Sequence, residues 1–345
     1  MMTELNLGDR KEMTVNWFRT LTGVDEQSAQ QVRRDLKIAG DCLACPNGNR
    51  PAFGHLETPQ LSELRQIVND LQVKPAQSTI CEVVGDVRAL HCDPQNAHAL
   101  FQVASQFNLL EMTSPSVTPE RGVGIYESDP TQGPACAIAC GAGTIYRNYF
   151  TSLAGGTGQT ARDQIDCSCD LGQRLGNIDG RLWSMNNGYL FPTDDGINEI
   201  ATALQMETVE GLQELSGELR IGLQWNCSVT LPGSDHKVSQ AYCSALPVAY
   251  GRQPTDQWRD FAGLVLHAAY EATLCAAVIN AAQTGVNQVY LTLLGGGVFG
   301  NRESWIMDAI ASAFQKHRQN GLDVQIVSYG RSKRCVTEMI ARMNG

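Results

Sequence analysis

The chain has 345 residues, 43% of them hydrophobic and 18% charged, with a formal net charge of −10. This composition excludes a disordered or low-complexity chain, and the acidic balance argues against a broad phosphate-tracking surface, so no nucleic-acid partner is expected. One nucleotide held by backbone N–H groups remains compatible with it. No apolar run approaches a membrane span, and no basic-then-apolar segment opens the chain. The expectation is therefore a cytoplasmic protein with no membrane partner, its twelve cysteines free thiols.

Residues 1–75 read as a helical N-terminal extension. DEQSAQQVRRDLKIAG has the spacing of a surface helix that stops at Gly40, and TPQLSELRQIVNDLQ offers Thr58 as N-cap and Pro59 at the first helical position. Leu61, Leu64, Val68 and Leu71 then fall on one face. STICEVVGDVRAL reads as a buried strand, FQVASQFNLLEM as a strand running into a loop, and QGPACAIACGAG as a helix. Residues 151–235 are turn-rich and read as an inserted cap.

The later chain is more regular. VSQAYCSALPVAY reads as a strand, Trp258 to Thr284 as a long helix stopped by Gly285, QVYLTLL as a strand, RESWIMDAIASAFQKHRQ as a helix and LDVQIVSY as a strand. Strand–helix–strand–helix–strand with short joints implies right-handed parallel crossovers and an α/β sheet.

LTLLGGGVFGNRESW, residues 291–305, places three glycines between such a strand and helix. At the carboxyl end of a parallel strand, a Gly-rich loop running into a helix N-terminus brings free N–H groups against an anion. The loop lacks the P-loop lysine and the acidic residue of a dinucleotide fingerprint, so a tight turn with no ligand stays open.

In order and spacing these segments resemble the macrodomains that bind ADP-ribose. The resemblance implies a three-layer α/β/α fold with a mixed, largely parallel sheet over residues 76–345, interrupted by the cap. It also implies that Gly295, Gly296, Gly297, Val298, Phe299, Gly300 and Asn301 form a diphosphate loop, with Phe299 on the distal ribose. VVGDVRAL is similar to the family's strand end whose Asp receives the adenine amino group, which would make Asp86, with Val87 beside it, the adenine reader. Ser105, Gln106 and Asn108 fall in the first ribose loop, Gly133 at the start of the opposite helix, and Tyr329 beside adenine. No cofactor is implied. Taken alone, Asp86 also reads as a turn cap, Asn301 as a helix cap and Tyr329 as a packed strand-end residue.

Cleaving an ADP-ribose linkage develops oxocarbenium charge at the distal ribose, so a carboxylate must activate water or stabilise that cation. Hydrolytic relatives carry an acid at the start of the helix after the ribose loop. That position aligns here with Ala135 and Cys136. Glu111, Glu120, Glu127 and Asp129 crowd the preceding loop. Of these, Asp129 is the expected working acid, with Gln132 orienting water or substrate, and a solvated acidic loop is the alternative. Asp194 and Asp195 in the cap are further candidates. Cys42, Cys45 and His55 suggest zinc but lack an evident fourth ligand, so no metal is expected. His267, Cys136 and Cys140 read as packed residues.

The expected function is removal of ADP-ribose from a modified protein, with ubiquitin as a candidate substrate because the cap resembles elaborations in ubiquitin-directed ADP-ribosylhydrolases. A non-catalytic reader of ADP-ribose or a related nucleotide is the rival, and a scaffold with a vestigial pocket the third reading.

Overall fold

A computed structural model describes residues 16–344. Residues 1–15 of the expected extension lie outside the described residues. The chain begins with α1 (Trp17–Thr22) and α2 (Ala29–Asp35), followed by a hairpin of β1 (Lys37–Ala39) and β2 (Cys42–Ala44). Then come β3 (His55–Glu57), α3 (Leu61–Asp70), β4 (Thr79–Val84), α4 (Val87–Cys92), β5 (Leu100–Ala104), α5 (Gln132–Ala139) and α6 (Gly141–Tyr149). The cap holds β6 (Ser152–Leu153), β7 (Gly156–Thr157), α7 (Cys169–Leu175), β8 (Trp183–Asn186), β9 (Tyr189–Pro192), α8 (Asp194–Met206) and α9 (Val209–Gly217). β10 (Gly222–Ser228), β11 (Lys237–Cys243), α10 (Arg259–Thr284), β12 (Gln288–Leu291), α11 (Glu303–Lys316), β13 (Asp323–Ser328) and α12 (Arg334–Asn344) complete the chain.

Seven strands form the central sheet in the order β3-β10-β11-β5-β12-β13-β4. β11, β5, β12, β13 and β4 run parallel, while β10 pairs antiparallel with both β11 and β3. Opposed pairs such as Cys243 and Ala104 bring the carboxyl ends of the parallel strands to one edge. Helices α4, α5 and α6 pack on one face, and α3, α10, α11 and α12 on the other, giving three layers.

α10 is long and apolar enough to cross a membrane, contrary to the expectation that no such run exists, but 89% of that stretch is buried within the fold. Its Glu271 joins two neighbours. Arg65 of α3 contacts it through two nitrogens at 2.6 and 2.9 Å, and Lys316 of α11 also bonds it. Burial raises the Glu271 pKa, but these bonds outweigh it and hold the carboxylate below its ordinary range.

Residues 16–75 differ from the helical extension expected. α2 stops at Asp35, and the chain folds into a hairpin before β3 adds an edge strand to the sheet. α3 begins after Gln60, not Thr58, because the Glu63 carboxylate accepts the Gln60 N–H at 2.7 Å. β4 is an exposed edge strand where a buried one was expected. The inserted cap ends before β10, which belongs to the central sheet. Trp17, Phe18, Leu21, Val32 and Leu36 build a second core with Leu110, Met112 and Tyr126, behind the loop that follows β5.

Candidate functional site

A cavity of about 480 Å³ opens at the carboxyl ends of β5, β11, β12 and β13. Three stretches make most of its wall: Ala104–Gln106 with Glu111–Thr113, Asp129–Pro134, and Thr292 and Leu293 with Gly295–Phe299. Val327, Tyr329 and Lys333 close one side, and Tyr189, Ala245 and Tyr250 contribute elsewhere. This is where open α/β sheets bind ligands, because loops diverge there and helix N-termini point inward.

The glycine loop is built by its neighbours. The Tyr270 hydroxyl, on α10, donates to the Thr292 carbonyl at 2.7 Å and accepts the Leu294 N–H at 2.9 Å, which fixes the exit from β12. Gly295 has φ +69, and a Cβ there would stand 2.4 Å from the Asn301 side-chain nitrogen and 2.6 Å from Ala245. The first glycine is therefore required by packing. Gly296 and Gly297 are exposed, and nothing in the fold would meet a Cβ on Gly297. The N–H groups of Gly297, Val298 and Phe299 have no acceptor among the described residues. A run of free N–H groups on a loop is an anion-binding device.

The start of α5 forms another part of the wall. The Asp129 carboxylate accepts from the Thr131 N–H at 2.9 Å and the Thr131 hydroxyl at 2.6 Å through one oxygen. The other oxygen accepts no hydrogen bond among the described residues, and Asp129 is half-buried on the cavity wall. Gln132 accepts from the Thr292 hydroxyl at 3.3 Å, tying α5 to the end of β12. A Cβ on Gly133 would lie 2.3 Å from the Ala104 carbonyl oxygen and 3.4 Å from Cγ of Glu111, so the helix start can approach β5 only as glycine.

Glu111 lies beside that helix start. It is 2% exposed, and neither carboxyl oxygen has a hydrogen-bond partner among the described residues. Burial raises its pKa to about 8, although the Arg147 charge favours the ionised form, and the Asp129 charge adds to the rise. The same Tyr126 hydroxyl accepts the Glu111 backbone N–H at 3.0 Å. Beside these acids stand three aromatic rings. The Phe299 centroid is 5.4 Å from Tyr189 and 5.8 Å from Tyr250, and the Tyr189 hydroxyl donates to the Met112 carbonyl at 2.7 Å.

Of the residues singled out by sequence, Ser105, Gln106, Asp129, Gln132, Gly133, Gly295, Gly296, Gly297, Val298, Phe299 and Tyr329 share this cavity. Five others stand away from its wall. Asp86 is exposed and caps α4, accepting the Arg88 N–H at 2.7 Å. Val87 is buried in α4 and borders a separate small void against Phe101 and Tyr290. Asn108 is buried, donating to Gln164 at 2.8 Å and accepting the Leu110 N–H at 3.1 Å. Gly300 faces Ala249, and Asn301 donates to the Leu246 carbonyl at 2.8 Å. Gln106 lines the cavity, yet its amide braces the loop by bonding both the N–H and carbonyl of Met112.

The other acids of that loop are used structurally. Glu120 accepts the Ala161 N–H at 2.9 Å and Glu127 the Trp17 N–H at 2.9 Å. Asp194 accepts from Gln253, outside the cavity wall. α5 starts at Gln132, so Ala135 and Cys136 are not its first residues as the alignment had them. Sequence reasoning missed Tyr189, Tyr250, Thr292 and Lys333 and treated Glu111 as part of a solvated loop. The sequence signal for Glu111 was its position between Leu110 and Met112, both buried.

No protein-family model matches the chain, and no curated protein matches it by sequence. Among solved structures, it overlaps poly(ADP-ribose) glycohydrolase from Deinococcus radiodurans in complex with ADP-ribose at 11% identity, covering 84% of this chain and 93% of that one, with a TM-score of 0.43. Poly(ADP-ribose) glycohydrolase from Thermomonospora curvata overlaps it at 12% identity, over 91% of this chain and 96% of that one, with a TM-score of 0.42. The same enzyme bound to the inhibitor ADP-HPD gives 12% identity, the same coverage and a TM-score of 0.41. Overlap at that level assigns neither an activity nor a residue role to this chain.

Proposed function

We propose that the cavity binds ADP-ribose and that the protein is a glycohydrolase releasing ADP-ribose from modified protein side chains. The observation that carries this reading is one cavity with two unlike walls. Free N–H groups of the glycine loop suit a diphosphate, and a half-buried carboxylate lines the same cavity just before α5. In this reading the N–H groups of Gly297, Val298 and Phe299 cradle the diphosphate, the Phe299 ring packs on the distal ribose, and Tyr329 lies beside adenine. Asp129 uses its free oxygen to take a proton from the attacking water, while Gln132 orients water or substrate.

The test is incubation with arginine-linked and acidic-linked ADP-ribosylated proteins, ADP-ribosylated ubiquitin among them, with free ADP-ribose as the readout. Release by the wild-type protein and a loss of about a hundredfold or more in Asp129→Ala support the assignment. Unchanged release in Asp129→Ala removes Asp129 from its role. Ubiquitin as the modified protein is the finer reading, and it stands only if that substrate is processed.

The absence of an acid in the first turn of α5, where Gly133 and Pro134 stand, favours the second reading, a non-catalytic reader of ADP-ribose. That reading predicts binding without release from any of these substrates.

A further inference from the structure

We propose that Glu111 is the proton donor of this cleavage, supplied from the loop after β5 to the helix start that Gly133 lets close on that strand. The inference rests on the glycohydrolase reading of the cavity.

Three observations converge on Glu111. It lines the cavity, whereas Glu120 and Glu127 of the neighbouring loop do not. Its carboxyl is closed to solvent with both oxygens unpartnered, a costly arrangement that native folds keep where a ligand or a reaction uses the group. Gly133 lets the start of α5, which otherwise lacks an acid, close on the Ala104 carbonyl with Glu111 at contact distance. The loop itself is rigid: Gln106 and Tyr189 both bond Met112, and the second core backs it through Leu110 and Met112.

The groups facing Glu111 come from four directions: Arg147 from α6, Tyr126 and Asp129 from the loop before α5, Cys136 from α5 and Tyr242 from β11. Arg147 is the cation of the set, and it is committed to the Leu109 carbonyl and the Tyr242 ring. Burial therefore prevails, and the carboxyl is kept protonated at neutral pH. Two carboxylates in unlike environments, one neutral and closed and one open to solvent, are suited to opposite proton-transfer roles.

In the step proposed, the bond between the distal ribose C1 and the linking heteroatom breaks, and its electron pair leaves with the heteroatom. The Glu111 proton passes to that atom. Water adds to C1 and its proton goes to Asp129; once the product leaves, water in the cavity carries that proton from Asp129 back to Glu111. The net reaction adds one water across one glycosidic bond.

The test measures ADP-ribose affinity by calorimetry, and kcat against pH, for the wild type, Glu111→Gln, Glu111→Asp and Asp129→Ala. Gln keeps the shape and neutrality of the acid but has no transferable proton. Expected for Glu111→Gln are affinity within about threefold of wild type and kcat lowered a hundredfold or more. Wild-type kcat falls as pH rises through about 8, with that limb absent from any residual Glu111→Gln activity. Glu111→Asp keeps the limb at reduced kcat, so the pH profile still decides should the Gln variant fold poorly. If Glu111→Gln keeps half the wild-type kcat while Asp129→Ala abolishes it, the proposal falls and the glycohydrolase reading stands. A wild-type kcat with no alkaline limb assigns Glu111 a packing role and also overturns it. No ADP-ribose binding by the wild type overturns the reading of the cavity, and this proposal with it.

Discussion

Asn301 donates its side-chain amide to the Leu246 carbonyl at 2.8 Å, and its backbone N–H to the Gly295 carbonyl at 2.9 Å. One buried residue thus closes the glycine loop on itself and pins it to the corner after β11. These two bonds shape the loop. Asn301→Ala is expected to destabilise the protein by about 1–2 kcal/mol, from lost and unsatisfied hydrogen bonds. ADP-ribose affinity should fall about tenfold as the loop relaxes. Urea denaturation and calorimetric titration check the two halves separately.

Gly133→Ala puts a Cβ against the Ala104 carbonyl oxygen, which a Cβ would approach to 2.3 Å. The helix start must then move off β5, and overpacking of this kind costs about 1–3 kcal/mol. The midpoint of urea unfolding should drop accordingly, and kcat should fall more than affinity because the shift displaces the carboxylates before the phosphate loop.

Glu111 makes a pH-dependent contribution to stability. Its pKa in the folded protein, about 8, is raised by burial above the ordinary carboxylate value. The folded state therefore binds the proton more tightly than the unfolded state. Stability is lost as pH rises from the unfolded pKa through the folded one, by at most about 1.4 kcal/mol per pH unit. Glu111→Gln removes this dependence. The variant should melt above the wild type at pH 8, with the gap closing towards pH 5. Thermal melts at both pH values give the comparison, and a gap that widens on acidification would contradict the assignment.

Arg65→Ala removes one partner of the nearly buried Glu271 and leaves Lys316 to hold it. A loss of about 3 kcal/mol is expected, because the remaining charge is partly uncompensated. Arg65 lies outside the cavity wall, so ADP-ribose affinity should stay within twofold. Denaturation and titration of the same variant separate a scaffold role from a site role.

How legible each part was follows from where its signal lies. α10 and its stop at Gly285, with φ +79, were readable because apolar spacing and a left-handed terminus are local properties. β12, α11 and β13 were readable for the same reason. β3 was not, since three residues pairing with β10 leave no alternation to detect and the partners, Leu223 for Glu57 and Trp225 for His55, lie far away in sequence. Asp86 caps α4 off the cavity wall, and a strand ending in Asp looks alike in sequence whether the carboxylate meets a ligand or caps a turn. Glu111 was visible only as one acid among several. Its environment depends on Gly133, Tyr126, Arg147 and the N-terminal core, which no local pattern brings together. The glycine loop lies between these cases: its place after β12 was legible, but the division of labour within it was not. Gly295 answers to packing, whereas Gly297 faces open space.

That division supplies the sharpest test of the central claim, that the loop backbone holds the diphosphate of ADP-ribose. Gly297→Val adds a side chain where the fold has nothing to meet it, at a residue without a left-handed φ. Calorimetric titration with ADP-ribose should give a saturable heat for the wild type and at least a hundredfold weaker binding for Gly297→Val, with the two proteins melting together. No heat from the wild type at millimolar ADP-ribose, or equal affinity in the variant, would contradict the account.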